Sequence, residues 1–174
     1  MRKSYWSYRS TACTGIERVL NVPKADELSR YEIDEILAIL PPLEGKNVVD
    51  LGAGIGRYTA PLASAANHVT AVELVEEYTE ANRASNGHIG NIDFITSDVV
   101  HLNLNTDCCD LVFSNYLLQY LDDDETRKFA TNALKWIKPG GWMFFREVTI
   151  EKSGMSAATK VVVRQEAKAI IAII

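Results

Sequence analysis

The stretch Val48-Val49-Asp50-Leu51-Gly52-Ala53-Gly54-Ile55-Gly56-Arg57 constrains this chain more than any other. It is an apolar run that reads as a buried strand, ending in an acidic residue and then three glycines at alternate positions. A strand that passes through such a loop into a helix brings backbone N–H groups close to a ligand, because glycine has no Cβ to block the approach. The dinucleotide fingerprint is G-x-G-x-x-G and needs no preceding Asp, whereas the pattern here is D-x-G-x-G-x-G. Gly52, Gly54 and Gly56 are therefore expected to line a ligand site. Asp50 is read either as orienting the loop by accepting backbone N–H bonds or as an ordinary strand-end Asp.

A chain of 174 residues is expected to form one domain. The net charge of −5 and the absence of a basic run turn the reading away from nucleic acid and from anionic membrane surfaces. Met1-Arg2-Lys3 is followed by polar and aromatic residues, so no signal peptide is expected, and no apolar stretch is long enough to span a bilayer. Of the three cysteines, Cys13, Cys108 and Cys109, two are adjacent, and no Cys/His ligand spacing occurs. They read as reduced thiols in a cytoplasmic protein without a metal, with Cys109 facing the core at the start of a strand.

Patterning predicts an α/β chain. Ser29 with Glu32 three residues later is a capping-box signature, and Ile33, Ile36, Leu37 and Leu40 continue at helical spacing until Pro41-Pro42. Strands are expected at 47–51, 69–74, 92–97, 110–114 and 142–148, alternating with helices after the glycine loop to about 66, over 75–85, and from Asp122 or Asp123 onward. Lys138-Pro139-Gly140-Gly141 reads as a turn. Near-continuous apolar strands between helices argue for a doubly wound, mostly parallel sheet covered on both faces. Residues 1–40 are taken as a helical lid and capping helix, 41–150 as the binding core, and 151–174 as a divergent C-terminal helix or tail.

Ligands of open α/β sheets lie beyond the carboxyl ends of the strands. Glu73 ends strand 2 about twenty residues past the loop, where a carboxylate can accept both ribose hydroxyls of an adenosine-bearing cofactor. Asp98, with Val99 after it, can take the adenine amino group and a ring nitrogen, or form a turn. Asn115 ends strand 4 and can donate and accept there, or build a turn. Arg57 begins a helix, where a cation sits badly with the dipole, a hint that it serves a carboxylate or ligand. His68, His88 and His101 lack partner motifs and read as structural or solvated.

The D-x-G-x-G-x-G loop resembles motif I of the class I S-adenosylmethionine-dependent methyltransferases. Together with Lys3-Ser4-Tyr5-Trp6, Asn86-Gly87-His88, Phe113-Ser114-Asn115-Tyr116-Leu117-Leu118-Gln119-Tyr120-Leu121 and Phe144-Phe145-Arg146-Glu147, it resembles the phosphoethanolamine N-methyltransferases of plants and nematodes. The last two strings are the most specific. The resemblance spans Lys3 to Glu147 and implies S-adenosyl-L-methionine as cofactor, with contacts from Gly52, Arg57, Glu73, Asp98, Val99 and Asn115. It implies N-methylation of phosphoethanolamine or its methylated forms, toward phosphocholine and phosphatidylcholine. An alkyl ammonium, with a pKa of about 10 like Lys, must lose a proton before it attacks. Tyr5 and Tyr120 are the candidate relay. Related phosphobase enzymes use a Tyr–His pair, and the position that matches the His is Tyr120 here.

The family sheet has seven strands and only five are expected here, so the sheet reads as truncated after strand 5. In the family, the part after Glu147 helps hold the substrate phosphate, which leaves Arg57 and Arg146 as the cations to examine. Residues 161–174 carry apolar residues at helical spacing, read as a helix beside strand 5 or a surface for self-association or a partner chain. Two other readings stay open: a catalytically silent cofactor-binding module that needs a partner chain, and a Rossmann oxidoreductase.

Overall fold

The computed structural model describes the backbone of residues 25–150, 156–166 and 169–173, and the side chains of residues 30–147. The order is α1 (Ala25–Ile39), β1 (Asn47–Leu51), α2 (Thr59–Ala65), β2 (His68–Glu73), α3 (Glu76–Asn86), β3 (Ile92–Thr96), β4 (Cys109–Asn115), α4 (Asp123–Trp136) and β5 (Ile137–Ile150). These give a parallel sheet in the order β3-β2-β1-β4-β5, as the strand–helix alternation requires.

The strand pleat sends alternate residues to two cores. Val49, Val112 and Met143 face α4, packing with Phe129, Ala133 and Trp136. Val48, Leu111 and Phe144 face α1 and α2, packing with Ile36, Leu62 and Ala63. A strand buried on both faces must be apolar at nearly every position, which is why the strands were legible as continuous runs. Cys109 is buried at the start of β4, and both Cys108 and Cys109 are free thiols. Asp122 caps α4: its side chain accepts the Glu125 N–H while the Glu125 side chain accepts the Asp122 N–H.

Three features differ from expectation. Ser29 lies inside α1 rather than at its start, because the helix already begins at Ala25 and residues 25–28 are tolerable helix formers. Lys138–Gly141 lies within β5, where it forms a bulge: Cys109 pairs with Ile137 and Leu111 with Trp142, so β5 carries three more residues than β4 over this interval. The described residues of 161–174 form strands rather than the expected helix. Residues Ser156–Glu166 and Ala169–Ile173 form β6 and β7, antiparallel additions that carry the sheet to seven strands and pair along β5. The valines and isoleucines there are β-branched and stiff at χ1, so strand geometry suits them better than their helical spacing suggests.

Candidate functional site

A cavity of about 300 Å³ opens at the carboxyl ends of β1, β2 and β4. Asp50, Gly52, Gly54, Arg57, Glu73, Asp98, Val99, Asn115 and Tyr120 all line it, so four separate segments of the chain converge on one volume. Tyr5 lies outside the described residues.

The glycine loop is tied to β2 from two directions. Gly52 and Ala53 donate their N–H groups to the Val72 carbonyl at 2.9 and 3.0 Å. Gly54 donates to Glu73 Oε2 at 2.9 Å, while Glu73 Oε1 accepts from Val75 N at 3.0 Å. Burial pushes the Glu73 carboxyl above its usual range, against the pull of these N–H groups. Gly54 has φ +58°, and a Cβ built there would meet nothing within 4 Å, so its bare face opens into space a ligand can take.

Gly56 and Asp50 depart from expectation. Gly56 does not line the cavity. A Cβ there would sit 2.1 Å from Asn82 Oδ1 on α3, so this glycine allows the loop to close against a helix. Among the described residues, no backbone N–H donates to the Asp50 carboxylate. Its Oδ2 accepts from the Thr59 hydroxyl at 2.7 Å, because the pleat turns Asp50 to the α2 side with Val48. Thr59 accepts in turn from Asn82 Nδ2 at 3.0 Å, and Asn86 Nδ2 donates to Asn82 Oδ1 at 2.8 Å and to the Gly56 carbonyl at 3.2 Å. This buried chain braces the loop from behind. Burial, helped by the nearby Glu73 charge and opposed by Thr59, pushes the Asp50 pKa up to about 7.

Sequence reasoning assigned Glu32 to a helix cap. Its carboxylate instead bridges two arginines: Oε2 accepts from Arg57 Nη2, and Oε1 from Arg146 Nη2 at 2.8 Å. Burial opposes the Glu32 charge, but Arg146 and Arg57 outweigh it and hold the carboxyl below its usual value. The Arg57 and Arg146 side chains are only 5% and 7% exposed. Arg57 lies over the Tyr58 ring at 5.0 Å and Arg146 over the Tyr116 ring at 4.7 Å. Arg57 precedes α2, which starts at Thr59 with Tyr58 as its cap, and it does meet a carboxylate. The carboxylate it meets comes from α1, 25 positions earlier, a distance no local pattern encodes.

Beyond β4 the chain turns sharply. Tyr116 has φ +58°, unusual for a bulky residue and a mark of local strain, and its N–H donates to the Arg146 carbonyl at 2.8 Å. Glu147 Oε1 then accepts from the N–H groups of Leu117 and Leu118, and Oε2 from Gln119. The loop so fixed places Tyr116 and Tyr120 on the cavity wall beside Asn115. Asn115 Oδ1 and the Tyr58 hydroxyl are buried there without a hydrogen-bond partner, although both residues line the cavity. Asp98 makes a turn, accepting from Val100 N at 3.0 Å, and Val99 is buried next to it. His101 is exposed, 3.7 Å from Asp98 Oδ2, and does not line the cavity.

A methyltransferase domain family matches residues 48–141, more than half of the chain. The chain belongs to that family. The chain is 42% identical over 156 residues to phosphoethanolamine N-methyltransferase 3 of Arabidopsis thaliana, covering 88% of this chain and 32% of the relative. It is 38% identical over 151 residues to phosphoethanolamine N-methyltransferase 1 of Caenorhabditis elegans, covering 87% and 32%. The solved structure of Haemonchus contortus phosphoethanolamine N-methyltransferase 1, in complex with phosphoethanolamine and S-adenosylhomocysteine, matches with a TM-score of 0.81 at 37% identity, over 87% of this chain and 32% of that one. The chain thus spans about a third of the length of these relatives. Both the family resemblance read from the sequence and the class I fold of its parallel sheet are borne out.

Proposed function

We propose that this methyltransferase binds S-adenosyl-L-methionine in the cavity and methylates the nitrogen of phosphoethanolamine or its methylated forms, toward phosphocholine and phosphatidylcholine synthesis. The observation that carries this reading is the convergence of Gly54, Glu73, Asp98, Val99, Arg57 and Asn115 on one volume. Similarity to the nematode enzyme, solved with phosphoethanolamine and S-adenosylhomocysteine, supports the choice of substrate.

The residues fit the cofactor. The open face of Gly54 leaves room for a ligand, and Asn115 Oδ1 is a buried acceptor awaiting a donor. Each Glu73 oxygen uses one lone pair on a backbone N–H and keeps capacity for a ribose hydroxyl. Asp98 and the Val99 N–H would hold the adenine, and Arg57 the amino-acid carboxylate. When bound, the cofactor supplies an electrophilic methyl group on a positively charged sulfur. The chain's own task is to orient the amine in line with that methyl and to exclude water. Tyr116 and Tyr120 can attract an alkyl ammonium by their ring faces. The ammonium must shed a proton before attack, and the Tyr120 hydroxyl, with Tyr5, is the proposed relay. Burial pushes the Tyr116 hydroxyl up, so it stays neutral and suited to wall rather than base.

Arg57 and Arg146, the cations expected to meet the phosphate, both already meet the Glu32 carboxylate. A dianionic phosphate needs several charge-assisted donors. Phosphoethanolamine is therefore expected to bind weakly on its own. Self-association is proposed at β7, which ends the sheet among the described residues and whose edge is a template for pairing. None of the described helices is long and apolar enough to cross a membrane. Two adjacent free thiols support a cytoplasmic location.

Calorimetry tests the reading. S-adenosylhomocysteine should bind, NAD should not, and phosphoethanolamine added second should give a weak signal. Binding of NAD in place of S-adenosylhomocysteine would point to an oxidoreductase. Cofactor binding without any turnover on phosphoethanolamine would leave a silent binding module.

A further inference from the structure

We infer that Asp50 is a counter-charge kept for a positively charged ligand, so that the cavity favours a sulfonium cofactor over the neutral thioether that remains once its methyl group is given up. The inference rests on the cofactor reading above and adds to it a basis for telling donor from product.

Buried carboxylates are normally paired with a cation. Asp50 is only 3% exposed and lines the cavity, and among the described residues no cation acts on it. The elements packed against it offer neutral groups or a second acid. Ala71 of β2 and Phe113 of β4 stand opposite it in the sheet, and from α2 the Thr59 hydroxyl donates to its Oδ2 at 2.7 Å. Glu73, at the end of β2, adds a like charge that makes Asp50 harder to ionise. Glu73 is itself held by the N–H groups of Gly54, Leu74 and Val75, again with no cation among the described residues. Asp98, also on the cavity, accepts from Val100 N and lies beside His101. Arg57 and Arg146 meet Glu32 and are not among the groups that act on Asp50. Burial therefore pushes Asp50 up to about 7, where it is poised between its two forms at neutral pH. A ligand that carries positive charge into this volume favours the ionised carboxylate, and one that carries none does not. Methyl donor and product share the adenosine and the amino-acid portion. They differ in one methyl group and in the charge on sulfur. Hydrogen bonds to the shared parts cannot separate them, whereas a buried charge can.

The test measures binding of S-adenosylmethionine and S-adenosylhomocysteine to the parent chain by calorimetry, from about pH 5.5 to about pH 7.5. If the sulfonium makes Asp50 about tenfold more acidic, the affinity ratio of donor to product should rise roughly fivefold over this range. At about pH 6.5 the donor should release roughly half a proton more than the product, read from the heats in buffers of different ionisation enthalpy. Asp50→Asn keeps an acceptor for Thr59 and removes the charge, so the ratio should stay at its low-pH value throughout. A merely structural role would change both affinities together and leave their ratio alone. The inference is overturned if the parent's ratio is flat, if the two ligands release equal numbers of protons, or if Asp50→Asn keeps the parent's rise. Should the variant not fold, the proton count in the parent decides by itself. A parent chain that binds neither ligand overturns the cofactor reading, and this inference with it.

Discussion

Glu147 Oε1 accepts the backbone N–H of Leu118 at 2.8 Å, joining the end of β5 to the loop after β4. The two most specific strings of the sequence, Phe113–Leu121 and Phe144–Glu147, are therefore one physical unit. The carboxylate holds three consecutive N–H groups at the start of a short 3₁₀ turn, Leu118–Tyr120. Replacing Glu147 by Gln removes the charge and leaves one good acceptor. Urea denaturation should show a loss of about 1.5–3 kcal/mol, and amide exchange should rise at Leu117, Leu118 and Gln119. Unchanged exchange at these amides would show that the loop holds its shape without the carboxylate.

Gly54 and Gly56 should respond differently to the same substitution. Gly56→Ala places a methyl group against Asn82 and adds backbone strain at φ +90°, so stability should fall by about 2–4 kcal/mol. Gly54→Ala meets no atom and should cost about 1–2 kcal/mol for its left-handed backbone. It should nonetheless lose most S-adenosylhomocysteine affinity, because the methyl group enters the ligand's space. Thermal unfolding and calorimetry on the pair would separate the two effects.

Glu73→Gln tests the ribose assignment. The amide keeps one oxygen for the backbone and loses the charge, so S-adenosylhomocysteine should weaken by about 1.5–3 kcal/mol. Parent-like affinity would remove Glu73 from the cofactor site.

Asp50 ties stability to pH. Its carboxyl is raised in the folded chain to about 7, from an ordinary value near 3.8. Below the lower value both states carry the proton, and the folded state has its full advantage. Between the two values only the folded state keeps it, so stability should fall as pH rises, by up to about 1.4 kcal/mol per unit. Asp50→Asn should flatten that slope between pH 4 and 7 in urea denaturation. A slope equal to the parent's would assign the effect to another group.

Tyr120→Phe keeps the ring and removes the hydroxyl. If Tyr120 relays the proton, turnover on phosphoethanolamine should drop by about 10²–10⁴ while S-adenosylhomocysteine affinity stays level. Equal turnover would leave Tyr120 as wall.

The parallel sheet and the cavity residues at its strand ends were legible in the sequence, because both depend on local patterns. Val48 and Val49 announce a strand by themselves, and Glu73 is placed by its distance along the chain from the loop. Glu32 was not legible. Its spacing from Ser29 matches a capping box, and only the packing of α1 against β5 brings it to Arg146, 114 positions away. Asn82 was hidden for the same reason: it looks like one polar residue on a polar helix until Gly56 is seen beside it. In residues 161–174 two periodicities fitted the apolar residues, and the β-branched side chains favoured the strand.

The bulge in β5 governs more than local shape. Along a strand, neighbours face opposite sides, and a shift of one residue exchanges them. The three additional residues between Ile137 and Trp142 set which of Arg146 and Glu147 looks toward α1. Deleting one glycine there would keep every charged side chain in the chain and invert their placement, with an acid beside Glu32 and a base beneath the loop amides. Which charge stands beside Glu32 is therefore written in the length of a bulge as much as in the residues that carry the charge.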